Sequence, residues 1–176
     1  LGKDIDEMEL LDLVTKLNNN PRIHGILVQL PLPKQIDENL ITNSILPHKD
    51  VDGFTSVNLG HLFASNPILE PATARAVMKL IDSTGISLDG KNAVVVGRSN
   101  IVGKPVAMML LGKNATVPVC HSKTKNMAEH TKKADILVVA AGKPKIITNK
   151  MVKQGAVVID VGINRVNGKI VGDVDF

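Results

Sequence analysis

The sequence of 176 residues contains no Trp, no Tyr and a single Cys. Without Trp and Tyr to stack on bases, and with scattered lysines, its net charge of +4 does not indicate a nucleic-acid partner. One cysteine, Cys120, excludes an internal disulfide framework and is compatible with a reducing compartment. No apolar run approaches the length of a membrane span, and the start is too acidic for a signal or transit peptide, so we expect no membrane association.

The most informative stretch is Asn92 to Val106, NAVVVGRSNIVGKPV. Ala93 to Val96 has the length and branching of a strand buried on both faces, and Gly97 suits a tight turn after it. Pro105 suits a first helical turn, so the loop should lead directly into a helix over Val106 to Leu111. The stretch therefore predicts a strand, a glycine loop and a helix.

This arrangement points backbone N–H groups and the positive end of a helix dipole towards one place, where an anion such as a dinucleotide pyrophosphate is favoured. Ser99 or Asn100 is a plausible N-cap of the helix. The spacing of Gly97 and Gly103 is not the G-x-G-x-x-G fingerprint, however. On spacing alone, a phosphate loop and a plain strand–helix turn are equally open.

Strand patterns alternate with helical patterns from Gly90 onward, which favours an α/β fold with a doubly wound parallel sheet. A part of an α/β substrate domain is expected before it. We place the domains at residues 1–70 and 71–176. The predicted helices are Glu7 to Leu17, Asp37 to Leu46 and Thr73 to Ser83, and the predicted strands are Ile23 to Leu30, Ala93 to Val96, Thr116 to Cys120, Ile136 to Ala140 and Val157 to Val161.

In such a sheet, ligands bind outside the carboxyl ends of the strands, so Gly97, His121, Ala141 and Gly162 should line one crevice. The second strand of an NAD site usually ends in an acid, whereas this one ends in His121, Ser122, Lys123 and Thr124. Together with Arg98, these residues suit the 2′-phosphate of NADP. The alternative is that Arg98 is an ordinary surface arginine.

Two polar features stand out in the first seventy residues. Gln29 interrupts an apolar run, so it belongs either to a core hydrogen-bond network or to a ligand contact. Asp50 and Asp52 flank one valine in the loop PHKDVDGF. A metal site is not expected in this loop, and aspartates that cap backbone groups of a turn are the simpler explanation.

Six blocks of the sequence, taken together and in order, resemble the methylenetetrahydrofolate dehydrogenase/cyclohydrolase family. They are distributed over nearly the whole chain. The blocks are GILVQLPLP from Gly25, KDVDGF from Lys49, VVVGRSNIVGKP from Val94, CHSKT from Cys120, VIDVGIN from Val158 and VGDVDF from Val171.

The resemblance implies a folate-binding lobe, an NADP-binding Rossmann lobe, a cleft between them and a homodimer. It implies NADP-dependent oxidation of 5,10-methylenetetrahydrofolate to the methenyl form, followed by cyclohydrolase conversion to 10-formyltetrahydrofolate. The expected compartment is the cytoplasm, with the mitochondrial matrix as the alternative.

Matching positions also imply site residues. Gln29 would sit beside the family's catalytic lysine, and Asp52 would hold the pterin ring through paired hydrogen bonds that orient the folate. The substrate contacts are Gln29, Pro31, Asp52 and Gly53. The cofactor contacts are Thr73, Gly97, Arg98, Ser99, Ile101, His121, Ser122, Ala141, Gly142, Gly162 and Ile163.

The sequence departs from the family pattern in two respects. The family's catalytic lysine and its companion tyrosine precede the position of Leu1, and a glycine-rich segment follows the position of Phe176, so the sequence matches the middle of the pattern. Pro71 to Ala76 reads PATARA where the family reads like P-C-T-P-x-G, which leaves the nicotinamide contacts there open.

These departures support an alternative from another class of protein: a non-catalytic NADP-binding or interaction module derived from the enzyme. The presence of Gln29, Asp52 and Arg98 argues against it. An unrelated NADP-dependent dehydrogenase does not explain KDVDGF or VQLPLP.

Overall fold

The computed structural model describes residues 1–2 and 4–176, which divide into two compact units, Leu1–Ala72 and Thr73–Phe176. No helix in this described part is long and apolar enough to cross a membrane. Each unit has its own hydrophobic core.

The first unit is built from three helices, α1 (Glu7–Asn19), α2 (Glu38–Ser44) and α3 (Ser56–Phe63). Each begins at a residue whose side-chain oxygen accepts a hydrogen bond from a backbone N–H of the first turn; these residues are Asp6, Asp37 and Thr55. The helical pattern of the sequence predicted α1 and α2, but α3 was missed.

The buried strand predicted over Ile23 to Leu30 is wrong. Within the described residues, this segment makes one isolated parallel bridge, between Ile26 and Asp50, and the Ile26 N–H donates to the Lys49 carbonyl at 2.7 Å. Only Ile26 is buried, whereas the Leu27 side chain is 58% exposed. An apolar run becomes a sheet strand only where neighbouring backbone completes its hydrogen bonds, and here a single bridge does so.

The second unit contains a four-stranded parallel sheet in the order β2-β1-β3-β4, which confirms the predicted α/β class and its doubly wound parallel sheet. The strands are β1 (Ala93–Val96), β2 (Val119–Cys120), β3 (Ile136–Val139) and β4 (Val157–Asp160). The helices are α4 (Ala72–Ser83), α5 (Gly103–Leu111) and α6 (Met127–Thr131), with a 3-10 turn at Asn149–Met151.

The sheet is buried on both faces because alternate residues of β1 and β3 face two different cores. Val95 and Val138 pack with residues of α4 and α5, whereas Val94 and Val139 pack with Cys120 and Ile147 on the other side. All eight residues of β1 and β3 are buried. Continuous β-branched runs are therefore the correct signal for these central strands.

β2 is shorter than the predicted Thr116 to Cys120 because Pro118 has no N–H to donate. The carbonyls of Thr116, Pro118 and Cys120 nevertheless accept hydrogen bonds from Ala93, Val95 and Gly97 at 2.8–3.0 Å. A hairpin that the sequence pattern did not predict follows β4; it consists of β5 (Asn164–Val166) and β6 (Lys169–Val171), joined by Asn167 and Gly168 with positive φ.

The glycines of the β1–α5 loop permit close approach of backbone to backbone. A Cβ at Gly97 would overlap the Ala140 carbonyl of the loop after β3, and a Cβ at Gly103 would overlap the Gly97 carbonyl and lie 2.8 Å from the Arg98 nitrogen. The first turn of α5 therefore packs against the end of β1 at a distance that only glycine allows.

We predict that Gly103→Ala lowers the free energy of unfolding by about 2–3 kcal/mol, because backbone atoms must move to accommodate the methyl group. Denaturant titration measures this change. Gly60→Ala is the control: nothing lies within 4 Å of the added Cβ, and its position inside α3 favours alanine. Equal stability of Gly103→Ala and the unaltered chain would contradict the packing described here.

Candidate functional site

A pocket of about 390 Å³ lies at the carboxyl ends of β1, β2 and β3. This volume is within the range of about 300–1,000 Å³ that is typical of small-molecule sites. Each strand contributes one wall. The lining residues are Val96, Gly97, Arg98, Ser99, His121, Ser122, Thr124, Met127, Ala140, Ala141, Lys143 and Ile146.

The first wall is the loop after β1. The Ser99 hydroxyl accepts hydrogen bonds from the N–H groups of Val102 and Gly103 at 3.1 and 3.3 Å, and the Ser99 carbonyl accepts one from Lys104 at 3.0 Å. The N-cap of α5 is Val102, which makes no side-chain capping hydrogen bond, so the prediction of Ser99 or Asn100 as the N-cap is wrong. Ser99 lies further upstream and nevertheless bonds three N–H groups at the start of α5, which are therefore not free for a phosphate.

The second wall is the turn after β2, which is held by two residues. The His121 N–H donates to the Thr124 hydroxyl at 2.8 Å, and the Thr124 N–H donates to the His121 carbonyl at the same distance. His121 Nδ1 accepts from the Lys123 N–H at 3.1 Å, which places the proton of a neutral imidazole on Nε2. Ser122 is exposed within this closed turn.

The third wall is the loop after β3, Ala141–Lys143, whose backbone N–H groups all donate to Asp173. The side chains of Lys143 and Arg98 both line the pocket, and no described lining residue is a carboxylate. Within the described chain neither cation has a hydrogen-bond or ion-pair partner, so the pocket is suited to an anionic ligand.

The structure brings six of the predicted cofactor residues into this pocket: Gly97, Arg98, Ser99, His121, Ser122 and Ala141. The other predicted cofactor residues are not in its lining. Thr73 is on the first turn of α4, Ile101 is 38% exposed beside the first wall, and the Gly142 N–H is bonded to Asp173. Gly162 and Ile163 follow β4, where Ile163 is 78% exposed.

In the first unit, Gln29 and Pro31 line an apolar groove of about 420 Å³ beside α1. Gln29 is exposed, and its side-chain amide donates to the Leu30 carbonyl at 3.1 Å. The Leu30–Pro31 peptide bond is cis. Asp52 and Gly53 are not in the described lining of this groove, so the four predicted substrate residues are not brought into one pocket.

The first two residues of KDVDGF are structural. The Lys49 ammonium donates to the carbonyls of Leu17, Asn18 and Asn20 at the end of α1, at 3.2, 2.5 and 3.0 Å. The buried Asp50 carboxylate accepts from the N–H groups of Gly53 and Thr55 and from the Asn58 amide, at 3.0, 2.8 and 2.9 Å. The turn-capping explanation therefore applies to Asp50.

Asp52 differs from its neighbour because its carboxylate has no hydrogen-bond donor in the described part of the chain. Its pKa is raised, chiefly by partial burial and secondarily by the nearby negative charge of Asp50. Gly53, which follows it, has a φ of +70° and packs against the backbone of Pro71. Asp52 is thus a half-buried acid whose carboxylate no described group of the chain bonds. Such an environment is typical of a group that binds a ligand.

Three residues with a part in the site were missed at the sequence level: Lys143, Asp160 and Asp173. Asp160 and Asp173 each lie within two residues of a glycine, in VIDVG and VGDVD, but nothing in these segments indicates which groups the carboxylates bond. Lys143 lies three residues after the predicted strand end at Ala140. Hydrogen-bond partners far apart in sequence, such as Asp173 and Ala141, leave no local pattern.

Metal ligation and thiol chemistry find no support in the described residues. No group of three or more His, Cys, Asp or Glu side chains there could hold a metal ion. Cys120 is buried, and burial raises the pKa of its thiol, so it packs as a small apolar side chain.

The sequence matches the tetrahydrofolate dehydrogenase/cyclohydrolase catalytic domain over residues 1–52 and the NAD(P)-binding domain of the same family over residues 71–176. Bifunctional protein FolD of Halothermothrix orenii is 57% identical over 178 residues, which cover 100% of this chain and 63% of that protein. The chain thus spans less than two thirds of the length of this relative.

Two solved structures are similar throughout the chain. The bifunctional FolD methylenetetrahydrofolate dehydrogenase/cyclohydrolase of Campylobacter jejuni has a TM-score of 0.97 and 51% identity, covering 100% of this chain and 63% of that one. The Trypanosoma brucei enzyme, solved with NADP cofactor and an inhibitor, has a TM-score of 0.94 and 41% identity, with the same coverage.

The contrast between Asp50 and Asp52 predicts opposite effects on stability. Asp50→Asn should lower the free energy of unfolding by about 2–4 kcal/mol. The Asp50 carboxylate accepts three hydrogen bonds, and the substitution replaces one of its two oxygens by an amide N–H₂, which cannot accept. Asp52→Asn should leave it within about 1 kcal/mol at neutral pH.

The pH dependence gives a second check of the same pair. The pKa of Asp52 is higher in the folded than in the unfolded chain, so the stability of the fold decreases as pH rises from the ordinary Asp value to the raised one and is constant above it. Asp52→Asn should therefore gain stability relative to the unaltered chain as pH rises from about 4, the ordinary Asp value, towards neutrality. Denaturant titrations at several pH values measure both effects, and a large loss with Asp52→Asn would show that Asp52 holds the fold.

Proposed function

The chain belongs to the tetrahydrofolate dehydrogenase/cyclohydrolase family, and on that basis we propose that its activity is NADP-dependent oxidation of 5,10-methylenetetrahydrofolate to 5,10-methenyltetrahydrofolate. In the complete enzyme, cyclohydrolase conversion to 10-formyltetrahydrofolate follows. The relatives are bifunctional enzymes, which favours catalysis over the alternative of a non-catalytic module. We assign folate binding to residues 1–70 and NADP binding to residues 71–176.

The observation that carries the proposal is the pocket at the strand ends, where Arg98 and Lys143 face an apolar and hydroxyl-bearing surface without a carboxylate. An acid in this position would bind ribose hydroxyls and repel a 2′-phosphate. Arg98 and Ser122 are the groups that would hold this phosphate, by paired guanidinium N–H bonds and one hydroxyl bond. The glycine-permitted packing of the β1–α5 loop lets backbone approach the dinucleotide closely.

The contribution of the chain to the reaction is binding and orientation. When bound, NADP supplies the hydride acceptor. Asp52 offers two carboxylate oxygens to the neighbouring N–H groups of a pterin ring, and no described donor in the protein competes for them. The amide of Gln29 supplies a further donor and acceptor. Two hydrogen bonds from the pterin ring to Asp52 fix the orientation of the ring and therefore the direction of the methylene group. Hydride transfer depends on this orientation.

The homodimer and the compartment are part of the same proposal. Ile163, directly before β5, and Ile170, within β6, are 78% and 69% exposed, and a second copy of the chain would cover such apolar surface. The single cysteine is a buried free thiol, which is consistent with the reducing environment of the cytoplasm. Sedimentation at several concentrations tests the dimer.

We predict that replacing Arg98 and Ser122 together by alanine weakens NADP binding about hundredfold, because charge-assisted hydrogen bonds to the 2′-phosphate are lost. Calorimetric titration measures the dissociation constant. Arg165→Ala removes an exposed arginine from β5 and serves as the control. Unchanged NADP affinity in the double variant would show that the phosphate site is assigned wrongly.

We predict that Asp52→Asn weakens tetrahydrofolate binding about tenfold or more and leaves NADP affinity within about twofold. The affinity of the unaltered chain for folate should also fall as pH falls through the raised pKa of Asp52, since the protonated acid has lost one acceptor. Asp12→Asn, an exposed aspartate on α1, is the control. Equal losses of folate and NADP binding would assign Asp52 to the fold instead.

A further inference from the structure

The loop after β3 has the backbone geometry of an anion-binding nest. Its residues Ala141, Gly142 and Lys143 are exposed, Gly142 has a φ of +61°, and three consecutive N–H groups point to one side. Consecutive N–H groups around a left-handed residue form a concavity that binds phosphate and other anions in many proteins. In this chain the concavity faces the interior.

The nest is filled by a carboxylate of the chain itself. Asp173 Oδ2 accepts from Ala141 and Gly142 at 2.7 and 2.8 Å, and Oδ1 accepts from Lys143 at 2.8 Å. The Asn164 side-chain amide donates to Oδ1 at 2.8 Å. Asp173 is fully buried, and no cation of the described chain pairs with it, so backbone N–H groups provide most of the compensation for its charge.

A second carboxylate holds the first in place. Asp160, at the end of β4, accepts from the N–H groups of Asp173 and Val174, both at 3.0 Å, and from Gly162 at 2.9 Å. Two glycines face these groups reciprocally: a Cβ at Gly162 would overlap the Asp173 carboxylate, and a Cβ at Gly172 would overlap the Asp160 carboxylate. The segment carrying Asp173 also pairs with the β3 loop through Ile147 and Val174.

We propose that Asp173 is a positioning residue of the cofactor pocket, whose carboxylate takes the place of a bound anion in the nest and thereby sets the backbone of Ala141–Lys143 along the third wall. The three N–H groups are then not available to the phosphates of NADP, which leaves those phosphates to Arg98, Ser122 and Lys143. This inference rests on the proposed function only in naming NADP as the ligand of the pocket.

Removal of the carboxylate and its replacement by a small anion test the proposal. Asp173→Ala keeps the Cβ and removes the carboxylate, so formate fits the vacated space between the same N–H groups. NADP binding to Asp173→Ala should be about tenfold or more weaker than to the unaltered chain. Formate should restore this affinity in a saturable manner, which a general loss of stability would not produce.

Asp175→Ala is the matched control, because Asp175 lies two residues away in the same segment but is exposed and pairs only with Lys145 among the described residues. Its NADP affinity should be unchanged and insensitive to formate. The proposal would be overturned if Asp173→Ala bound NADP as tightly as the unaltered chain. It would also be overturned if the NADP affinity of this variant were lower but did not rise with formate.

Amide hydrogen exchange in the unaltered chain tests the proposal independently of any variant and of NADP. The N–H groups of Ala141, Gly142 and Lys143 should exchange about hundredfold more slowly than that of Ser122, which is equally exposed and has no described acceptor. Similar rates would overturn the role of Asp173 even if Asp173→Ala does not fold. Absence of NADP binding to the unaltered chain would instead overturn the proposed function, and slow exchange would still support the filled nest.

Discussion

The parallel pairing of β1 between β2 and β3 is the constraint on which the rest of the second unit depends. Because the three strands run in the same direction and are in register, the loops after Val96, Cys120 and Val139 emerge at one edge. β1 and β3 are buried on both faces, so a ligand meets them at a strand end, and in parallel α/β sheets that is the carboxyl end. The pocket is therefore a consequence of strand direction, and the side chains of the three loops determine its chemistry.

Four aspartates of this protein have two different physical roles. Asp50, Asp160 and Asp173 each accept three or more hydrogen bonds from the chain and shape loops. Asp52 has no such donor, and its pKa is raised because the fold disfavours its charge. The pocket cations Arg98 and Lys143 are likewise without described partners. Groups that the fold leaves unsatisfied are those we assign to ligands.

The central strands were predictable because a continuous β-branched run, such as Ala93–Val96, can be identified from the sequence without knowledge of its neighbouring strands. Ile23 to Leu30 carries a similar apolar pattern but makes one bridge, since strand formation depends on neighbouring backbone that periodicity cannot show. The β5–β6 hairpin was predictable from Asn167-Gly168, a pair typical of tight hairpin turns, and was overlooked. In the site, residues at strand ends could be inferred from topology, whereas Asp173 acts across thirty residues of sequence and required the structure.

We propose that the strand-end pocket recognises a phosphorylated dinucleotide through its 2′-phosphate. Calorimetric titration of the unaltered chain with NADP and, separately, with NAD tests this recognition. We predict saturable binding of one NADP per chain, with NADP preferred over NAD by about tenfold or more because only NADP pairs with Arg98 and Ser122. Equal affinity for the two dinucleotides, or binding of neither, would contradict this account.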